Sequence, residues 1–467
     1  MSPTAMTFSS TCVSGWNDTG VVPPRRRAVT ACYDRPMFVV YEVVLYLVFL
    51  VTLPFFLLVG VLRGKYLENF AERLGFHRGE AAKHDLWLHA VSVGETLAAK
   101  PVVDEIFRMR PDLSMVVTTT TVTGQAQARR LFPDATVTYF PFDFAMSVRR
   151  FLTQYQPRVF ATMETEIWPN VTRLARERGV RLVLANGRIS DRSYPRYRAM
   201  RFLLRGILRN YTRILAREET DRARFIAIGA PAEIVETSGN VKFDYVLDET
   251  PLAIDLDTLI ASRKVLILGS TTEGEDEALL PELERFLRER NAFAIIAPRK
   301  AERFEVVASL LATTGIAFVR RSEDRPHPAF GHPLPLAGEG LGVRAPSILL
   351  LDSFGELAKI YRYATVAFVG GSLVAGVGGH NPIEPAAAGV AVAFGPSMHN
   401  FREISSTFLR NDAAVEVASP AELFAFAALM FDDDAARAAM GDRAKETVLQ
   451  NRGASQRTAA RIVELLA

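Results

Sequence analysis

Hydrophobic and polar positions divide the chain into one long uncharged segment and two series of short apolar runs. The uncharged segment covers residues 43–62 and reads "VVLYLVFLVTLPFFLLVGVL". Twenty residues in a helix are long enough to cross the hydrocarbon core of a bilayer. β-branched and aromatic residues occupy every face of that helix, which disfavours the alternative of a buried helix in a soluble domain. We therefore predict a membrane anchor over residues 37–64.

The region before the anchor differs from the rest of the chain. Residues 1–36 are polar and irregular, and they contain Cys12 and Cys32, the only two cysteines. We interpret them as a disordered extension or a misplaced start, with Met37 as the alternative start. Basic residues flank the anchor on both sides, so the positive-inside rule does not orient the full chain. A chain that began at Met37 would have them only after the anchor, which predicts that the rest of the chain lies on the cytoplasmic side.

The short apolar runs predict two α/β domains. The first series is "LWLHAVS", "SMVVTTT", "ATVTYF", "RVFATM", "RLVLAN" and "RILA"; the second is "KVLILGS", "AFAIIAP", "GIAFV", "SILLLD", "TVAFVGG" and "VAVAFGP". Helix-length segments separate the runs, as in parallel βα units. We predict two Rossmann-like domains over residues 65–247 and 248–467. Residues 322–347, rich in proline and glycine, predict a flexible surface insertion, with a functional lid as the alternative.

Composition narrows the functional classes. The 467 residues are 49% hydrophobic and 23% charged, which indicates a mostly globular protein. The net charge of +3 is too small to argue for nucleic-acid binding. Because both cysteines precede residue 37, the predicted domains have neither a disulfide nor a cysteine zinc site.

Three motifs in the first domain place charged side chains after predicted strands. In "HAVSVGE", Glu95 is either an ordinary helix-start acid, stabilised by the helix dipole, or a general base facing a cleft. In "METEIWPN", Glu164 and Glu166 suit a hydroxyl-rich substrate or a nearby cation. In "SGNVKFD", Lys242 is either a surface lysine or the partner of an anionic leaving group.

Glycine-rich motifs in the second domain predict a nucleotide site. "GSTTEGEDEALL", which contains Ser270 and Thr271, follows a strand and offers backbone N–H groups to a phosphate, although it lacks a Walker A ending. "APRK" places Arg299 at another strand end. "GGSLVAGVGGHNPIEPAAAG" joins a glycine loop at Gly371 to a helix-start acid, which suits phosphate and ribose respectively. His380 in this loop has no metal-ligand partners at useful spacing.

The segment 188–213 contains eight arginines, one acid, and interleaved tyrosine, phenylalanine and leucine residues. A solvated helix face is the alternative to an anionic binding surface. Beside a membrane anchor, such a basic amphipathic segment predicts contact with anionic lipid or a phosphorylated acceptor. No nucleic-acid-binding motif accompanies it.

Taken in order, "HAVSVGETLAA", "METEIWPN", "NGRISDRS", "NVKFD", "GGSLV" and "GGHNPIEPAA" resemble the 3-deoxy-D-manno-octulosonic acid (Kdo) transferases of lipopolysaccharide synthesis. The resemblance runs from about residue 37 to the C-terminus. It implies a GT-B fold, in which two Rossmann-like domains face a cleft, and an anchor in the inner (cytoplasmic) membrane. It also implies CMP-Kdo as donor, the tetra-acylated lipid A precursor as acceptor, and transfer without a metal or other cofactor.

The resemblance implies roles for individual residues. Glu95 matches the general base, and Glu164 and Lys242 match transition-state stabilisers. The CMP-contacting segments match Pro298, Arg299, Phe354, Gly355, Glu356, Asn381, Pro382, Ile383 and Glu384. The glycine-rich motifs themselves predict three further donor-binding residues, Ser270, Thr271 and Gly371. The predicted acceptor and membrane residues are Glu166, Arg188, Arg192, Arg196, Arg198 and Arg201.

Two alternative functions are also compatible with the sequence. A membrane-associated GT-B transferase with a different nucleotide sugar would share most of these motifs. A non-catalytic lipid-binding protein could retain the fold, although the intact Glu95, Lys242 and "NPIE" set argues against it. The sequence does not indicate how many Kdo residues are added or the oligomeric state.

Overall fold

The computed structural model describes residues 35–63, 69–77, 79–245, 250–252, 254–323 and 346–467. Nearly all of the predicted extension 1–36, both of its cysteines, and nearly all of the predicted insertion 322–347 lie outside the described residues. The chain divides into two compact units, Met1–Glu68 and Asn69–Ala467.

The first unit contains helix α1, Arg35–Arg63, which begins two residues before the predicted anchor 37–64 and covers it up to residue 63; residue 64 lies outside the described residues. Its stretch Phe38–Phe55 has a mean hydropathy of 2.2, and large apolar side chains such as Val51 and Phe55 are exposed. By length and composition this helix can cross a membrane, and no other helix of the described residues passes the same test.

The second unit begins with a sheet of seven parallel strands. Its strands are β1 Leu86–His89, β2 Met115–Thr119, β3 Thr136–Tyr139, β4 Val159–Met163, β5 Arg181–Gly187, β6 Arg213–Ala216 and β7 Val235–Thr237. They lie in the order β3-β2-β1-β4-β5-β6-β7. The helices around this sheet are α2 Phe70–Arg73, α3 Val93–Met109, α4 Val122–Leu131, α5 Ala145–Tyr155, α6 Pro169–Glu177, α7 Tyr194–Ala199, α8 Arg201–Leu208 and α9 Glu219–Ala227, followed by a 3₁₀ turn at Ala232–Ile234.

A second sheet of seven parallel strands follows. Its strands are β8 Lys264–Thr271, β9 Ala292–Pro298, β10 Phe318–Arg320, β11 Ile348–Leu350, β12 Val366–Val369, β13 Ala391–Phe394 and β14 Ala414–Glu416, in the order β10-β11-β9-β8-β12-β13-β14. The helices of this half are α10 Leu256–Ile260, α11 Glu275–Glu289, α12 Phe304–Thr314, α13 Leu357–Ile360, α14 Ile383–Ala387, α15 Arg402–Arg410, α16 Pro420–Asp432, α17 Asp434–Gln450 and α18 Ala454–Leu466, with 3₁₀ turns at Ala301–Arg303 and Tyr361–Tyr363.

The central strands form because their apolar runs are buried on both faces, as a parallel sheet covered by helices requires. Every residue of β1 and β4 is buried, and β1 pairs with both β2 and β4. Chain order therefore reverses between β1 and β4, and again between β8 and β12. Ligands of open α/β sheets bind beyond the carboxyl ends of the strands at such reversals. The predicted α/β class with two Rossmann-like domains is confirmed.

The last helix departs from the predicted division of the chain. Helix α18 packs on α3 of the first half, and its Ile462 and Leu466 share a core with Leu88 and Val102. The predicted boundary is therefore wrong for the end of the chain. Residues 248–467 do not form a single domain, because the apolar face of α18 is buried in the core of the first half.

A short 3₁₀ helix, Val241–Asp244, carries the chain from one half to the other. Val241 lies in the core of the first half, whereas Phe243 lies in a core of the second half, with its ring centroid 6.3 Å from that of Phe408. The Asp244 carboxylate accepts backbone hydrogen bonds from Gly453 and Ser455 at the start of α18. Lys242 therefore lies where both halves meet.

Candidate active site

Glu95 lies in the first turn of α3, directly after the buried strand β1. Its Oε2 accepts a hydrogen bond of 2.8 Å from the backbone N–H of Val91. Burial raises the pKa of the Glu95 carboxyl to about 7, and the nearby carboxylates Glu164 and Glu166 add to the rise against the opposing charge of Lys242. A carboxyl with that pKa can accept and release a proton near neutral pH.

Glu164 follows β4, the strand beside β1, so both acids lie at the same reversal of chain order. Its φ of 57° is left-handed, a strained conformation for a residue other than glycine and one that clusters at functional sites. Burial alone would raise the pKa of Glu164, but the charges of Arg217, Lys242 and Arg188 outweigh it and lower the pKa below its ordinary value. Glu164 is therefore ionised at neutral pH.

Glu166 faces a different environment from Glu164. Its Oε2 accepts a hydrogen bond of 3.0 Å from the Trp168 indole N–H. Burial raises the pKa of Glu166, and the charge of Glu164 raises it further. The turn after β4 thus holds two carboxyl groups whose pKa values are shifted in opposite directions.

Lys242 brings a positive charge close to Glu95 and Glu164, and these residues form the charged cluster of the site. Burial lowers the pKa of its ammonium, as do the neighbouring guanidinium groups of Arg217 and Arg188, whereas Glu164 opposes the change. Its Nζ lies 4.8 Å from the ring centroid of Phe401, which belongs to the second half of the fold. The lysine therefore faces the junction of the two halves and is partly buried there, unlike the surface lysine that was the alternative.

Two charged residues that the sequence analysis missed complete the cluster. Arg217, after β6, has a side chain only 2% exposed, and its Nη2 donates to Oε1 of Glu164. Glu403, in the first turn of α15, accepts from Nε of Arg188 at 2.9 Å, and its Oε2 lies 3.6 Å from Nη1 of Arg217. The position of Arg217 after an apolar run resembles that of Glu164, a signal that could have found it. Glu403 carries no such signal.

The predicted donor residues gather at the reversal between β8 and β12. Asn381 Nδ2 donates to Glu384 Oε1 at 3.1 Å, and its Oδ1 caps the N–H of Ile383. Burial raises the pKa of Glu384, which the charge of Arg299 opposes. Burial lowers the pKa of His380 to about 4, and Arg299 again contributes. The structure therefore brings Arg299, after β9, close to the "HNPIE" segment, as a nucleotide site requires.

The loop 353–356 holds three more of the predicted donor residues, whereas Ser270 and Thr271 end β8 and Pro298 ends β9. Phe354 is 64% exposed, and its ring centroid lies 5.4 Å from that of Phe304. Gly355 has a φ of +84°, a left-handed conformation that suits glycine. Glu356 is engaged by Arg321 at 2.9 Å, which helps lower its pKa against the opposing effect of burial.

The motifs that begin at Gly269 and Gly370 were expected to offer free backbone N–H groups to a phosphate. For several of these N–H groups the expectation is wrong. The carboxylate of Glu275, 1% exposed, accepts from the backbone N–H groups of Thr272, Gly371, Ser372 and Leu373. These donors are occupied because Glu275 begins α11 underneath both loops. Gly371 is still required, because a Cβ there would lie 2.9 Å from Nε2 of His380.

Comparison with known proteins decides the family. The family model described as 3-deoxy-D-manno-octulosonic-acid transferase (kdotransferase) matches residues 68–245, which include Glu95, Glu164 and Lys242. A 3-deoxy-D-manno-octulosonic acid transferase of Haemophilus influenzae is 35% identical over 408 residues, 86% of this chain and 92% of that protein. The chain belongs to the Kdo transferase family. It is therefore a glycosyltransferase.

A second relative agrees with that assignment, and a solved structure shares the fold. A 3-deoxy-D-manno-octulosonic acid transferase of Bordetella pertussis is 34% identical over 384 residues, 80% of this chain and 85% of that protein. The crystal structure of a glycosyltransferase from Rickettsia africae is 11% identical, with a TM-score of 0.52 over 82% of this chain and 98% of that one. The last similarity concerns the fold alone and is consistent with the two-domain arrangement of this Kdo transferase family member.

The arginines of the segment 188–213 lie in two different environments. Arg192, Arg196, Arg198 and Arg201 are exposed around α7 and the start of α8, and none pairs with an acidic side chain among the described residues. Phe202 beside them is 73% exposed. Arg188 differs, because its guanidinium is held by Glu403 inside the cluster around Glu164. Its predicted contact with the acceptor stays a prediction, as does that of the other four.

Proposed function

We propose that this chain transfers Kdo from CMP-Kdo to a sugar hydroxyl of the tetra-acylated lipid A precursor and releases CMP. Membership of the Kdo transferase family supports the donor and acceptor classes. The observation that carries the mechanism is the carboxyl of Glu95, whose pKa is raised to about 7 beside Glu164 and Lys242.

Glu95 acts as the general base. Its carboxylate takes the proton of the acceptor hydroxyl while the hydroxyl oxygen forms a bond to the anomeric carbon of Kdo. The bond from that carbon to the phosphate oxygen breaks, its electron pair leaves with CMP, and the configuration inverts. A base with a pKa near the working pH combines a useful ionised fraction with a useful driving force for proton transfer.

Glu164 and Lys242 stabilise opposite charges in the transition state. Glu164, ionised because the surrounding cations lower its pKa, faces the positive charge that develops on the sugar. Lys242 and Arg299 supply positive charge to the departing phosphate. Fixed charges of this kind act most strongly in a site from which water is excluded, and Glu164 and Lys242 are both partly buried.

The remaining predicted residues bind the substrates. The CMP group is held by three segments of the second half: Pro298 with Arg299, Phe354–Glu356 and Asn381–Glu384. Ser270, Thr271 and Gly371 shape the same end of the second sheet. The exposed arginines of α7 and α8 hold acceptor phosphates near an anionic membrane surface. The apolar helix α1 supports membrane association, and we place the catalytic domains on the cytoplasmic side of the inner membrane.

Product analysis by mass spectrometry tests the proposal. Membranes that contain the full chain are incubated with CMP-Kdo and the tetra-acylated lipid A precursor, and parallel reactions receive UDP-sugars instead. We expect products heavier by one or more Kdo units with CMP-Kdo alone. Transfer from a UDP-sugar, with none from CMP-Kdo, would instead favour the alternative of a transferase with a different donor.

A further inference from the structure

The first turn of α15 connects the second half of the molecule to the charged residues around Glu164. Three consecutive residues make the connection: Phe401 lies under the Lys242 ammonium, Arg402 pairs with Asp191 at 3.2 Å, and Glu403 pairs with Arg188 at 2.9 Å. Glu403 also lies 3.6 Å from Arg217. Phe401 and Glu403 therefore meet the same cluster that contains the proposed transition-state stabilisers.

Glu403 supplies one of the two carboxylates that pair with the guanidinium groups of the cluster, in which Lys242 is a third positive charge. Arg217 and Arg188 contribute two guanidinium groups, and Glu164 and Glu403 contribute two carboxylates. Arg217 is 2% exposed, and a cation this deeply buried must be paired and hydrogen-bonded. Its Nη2 donates to Glu164, its Nη1 approaches Glu403, and its Nε donates to the carbonyl of Asn186 at 3.3 Å.

Removal of the Glu403 charge would redistribute these bonds. Arg188 would lose its carboxylate partner, and Arg217 Nη1 would lose the carboxylate that lies 3.6 Å away. Glu218 and Asp221 also interact with the Arg217 charge, but neither forms an ion pair with it among the described residues. Glu164 would then be the described carboxylate that still pairs directly with Arg217. Among the described residues the Glu164 side chain is hydrogen-bonded by Arg217, and it is 28% exposed, so it has room to turn toward Arg188 and Lys242.

We propose that Glu403 is a positioning residue: through Arg217 and Arg188 it fixes the direction of the Glu164 carboxylate, so that Glu164 is aligned for reaction only when the second domain is in place. The proposal rests on the proposed role of Glu164. It links the donor-binding half of the molecule to the charge that stabilises the sugar in the first half.

The chain provides a matched control in the adjacent residue. Arg402 lies in the same turn and also pairs across the two halves, but both it and Asp191 are 59% exposed. An exposed pair of this kind contributes little to stability, about 0–1 kcal/mol. Asp191 pairs with Arg224 and has no described contact with Glu164. Arg402→Gln therefore removes an interdomain ion pair and leaves the Glu164 cluster intact.

Steady-state kinetics with CMP-Kdo test the proposal first. We expect Glu403→Gln to lower kcat about tenfold or more, because misalignment of a catalytic group by about 1 Å can cost up to about a hundredfold. The KM for CMP-Kdo should change less than about threefold, since Glu403 lies in the cluster around Glu164 and not among the donor residues. Arg402→Gln should leave both parameters unchanged. Equal loss in the two variants would overturn the proposal in favour of general interdomain stabilisation.

A double-mutant cycle measures the contact itself. If Glu403 acts through Arg188, the loss of kcat in the Arg188→Gln, Glu403→Gln double variant should be clearly smaller than the product of the single losses. Multiplicative losses would mean that the two residues act independently, and the proposal would fail.

Hydrogen exchange provides a readout that does not depend on transfer. In Glu403→Gln, amide exchange should rise in the segment 164–168, whereas Arg402→Gln should match the wild type. Unchanged exchange in Glu403→Gln would contradict the positioning role. If the wild type transferred no Kdo, the proposed function would fall, while this measurement would still decide whether Glu403 orders the turn that contains Glu164.

Discussion

Glu95 and Glu275 occupy matching places in the two halves of the molecule and yet differ in their surroundings. Each is an acid in the first turn of the helix that follows the first strand of its sheet in chain order, β1 or β8. The Glu275 carboxylate accepts from four backbone N–H groups and the Thr272 hydroxyl. The Glu95 carboxylate accepts from the Val91 N–H alone among the described donors.

The difference shows that a helix-start acid acquires its role from the donors around it. Glu275 is fixed under two loops and organises the backbone of the second half. Glu95 is partly buried with little hydrogen bonding to its charged form, so burial raises its pKa to about 7. The same pattern of strand, turn and acid thus gives a structural carboxylate in one half and a candidate base in the other.

The largest expected effect is on the rate of Glu95→Gln. We expect kcat to fall about 10²- to 10⁴-fold, the usual contribution of a general base, while the melting temperature changes little. Glu105→Gln is the matched control, because Glu105 lies on the same helix and pairs with Arg108 on its outer side. Rates with CMP-Kdo and the acceptor would be compared for both variants. Full activity of Glu95→Gln would direct attention to Glu164 or Glu166 as the base.

A smaller effect, on stability and not on chemistry, is expected for Glu275→Gln. The amide NH₂ group would face backbone N–H donors, so the free energy of unfolding should fall by about 3 kcal/mol. The transition of the intact protein would be followed by circular dichroism during thermal unfolding. Transfer per folded molecule should stay within about threefold of the wild type. A large loss of kcat without loss of stability would contradict the contrast between Glu95 and Glu275, because Glu275 would then take part in the reaction.

No effect is expected when divalent metals are removed. The proposed mechanism obtains its positive charge from Lys242 and Arg299, so excess EDTA should leave the rate of Kdo transfer unchanged. Rates would be measured after dialysis against EDTA and again after Mg²⁺ or Mn²⁺ is added. A loss that either metal restores would require a different source of charge for the leaving phosphate.

The sequence predicted the fold, and it indicated that Glu95 and Glu164 would lie at the same end of the first sheet, because both depend on local patterns. Apolar runs buried on both faces mark parallel strands, and Glu95 and Glu164 follow such runs. Lys242 instead follows the short strand β7 and was singled out by its motif. The family of the chain, predicted from its ordered motifs, is confirmed by its relatives. The roles of individual residues stay predictions.

The parts that the sequence did not predict depend on contacts between distant segments. Arg188 and Glu403 are 215 residues apart, and no local period connects them. The N–H groups of the glycine loop after β12 looked free because their partner, Glu275, belongs to a different motif. The return of α18 to the first sheet was missed because an amphipathic helix does not indicate which core it covers.

The dependence of kcat/KM on pH tests the central claim most directly, since it reports the ionisation of the free enzyme. Glu95 must be ionised to accept a proton, and its pKa is raised to about 7, so activity should be present above that pH and be lost as the pH falls through it. The account predicts a tenfold loss per pH unit in the acid limb, with a midpoint near 7. A profile that stays flat down to pH 5 would contradict it, because the carboxyl would then have an ordinary pKa and Glu95 would resemble any other acid at the start of a helix.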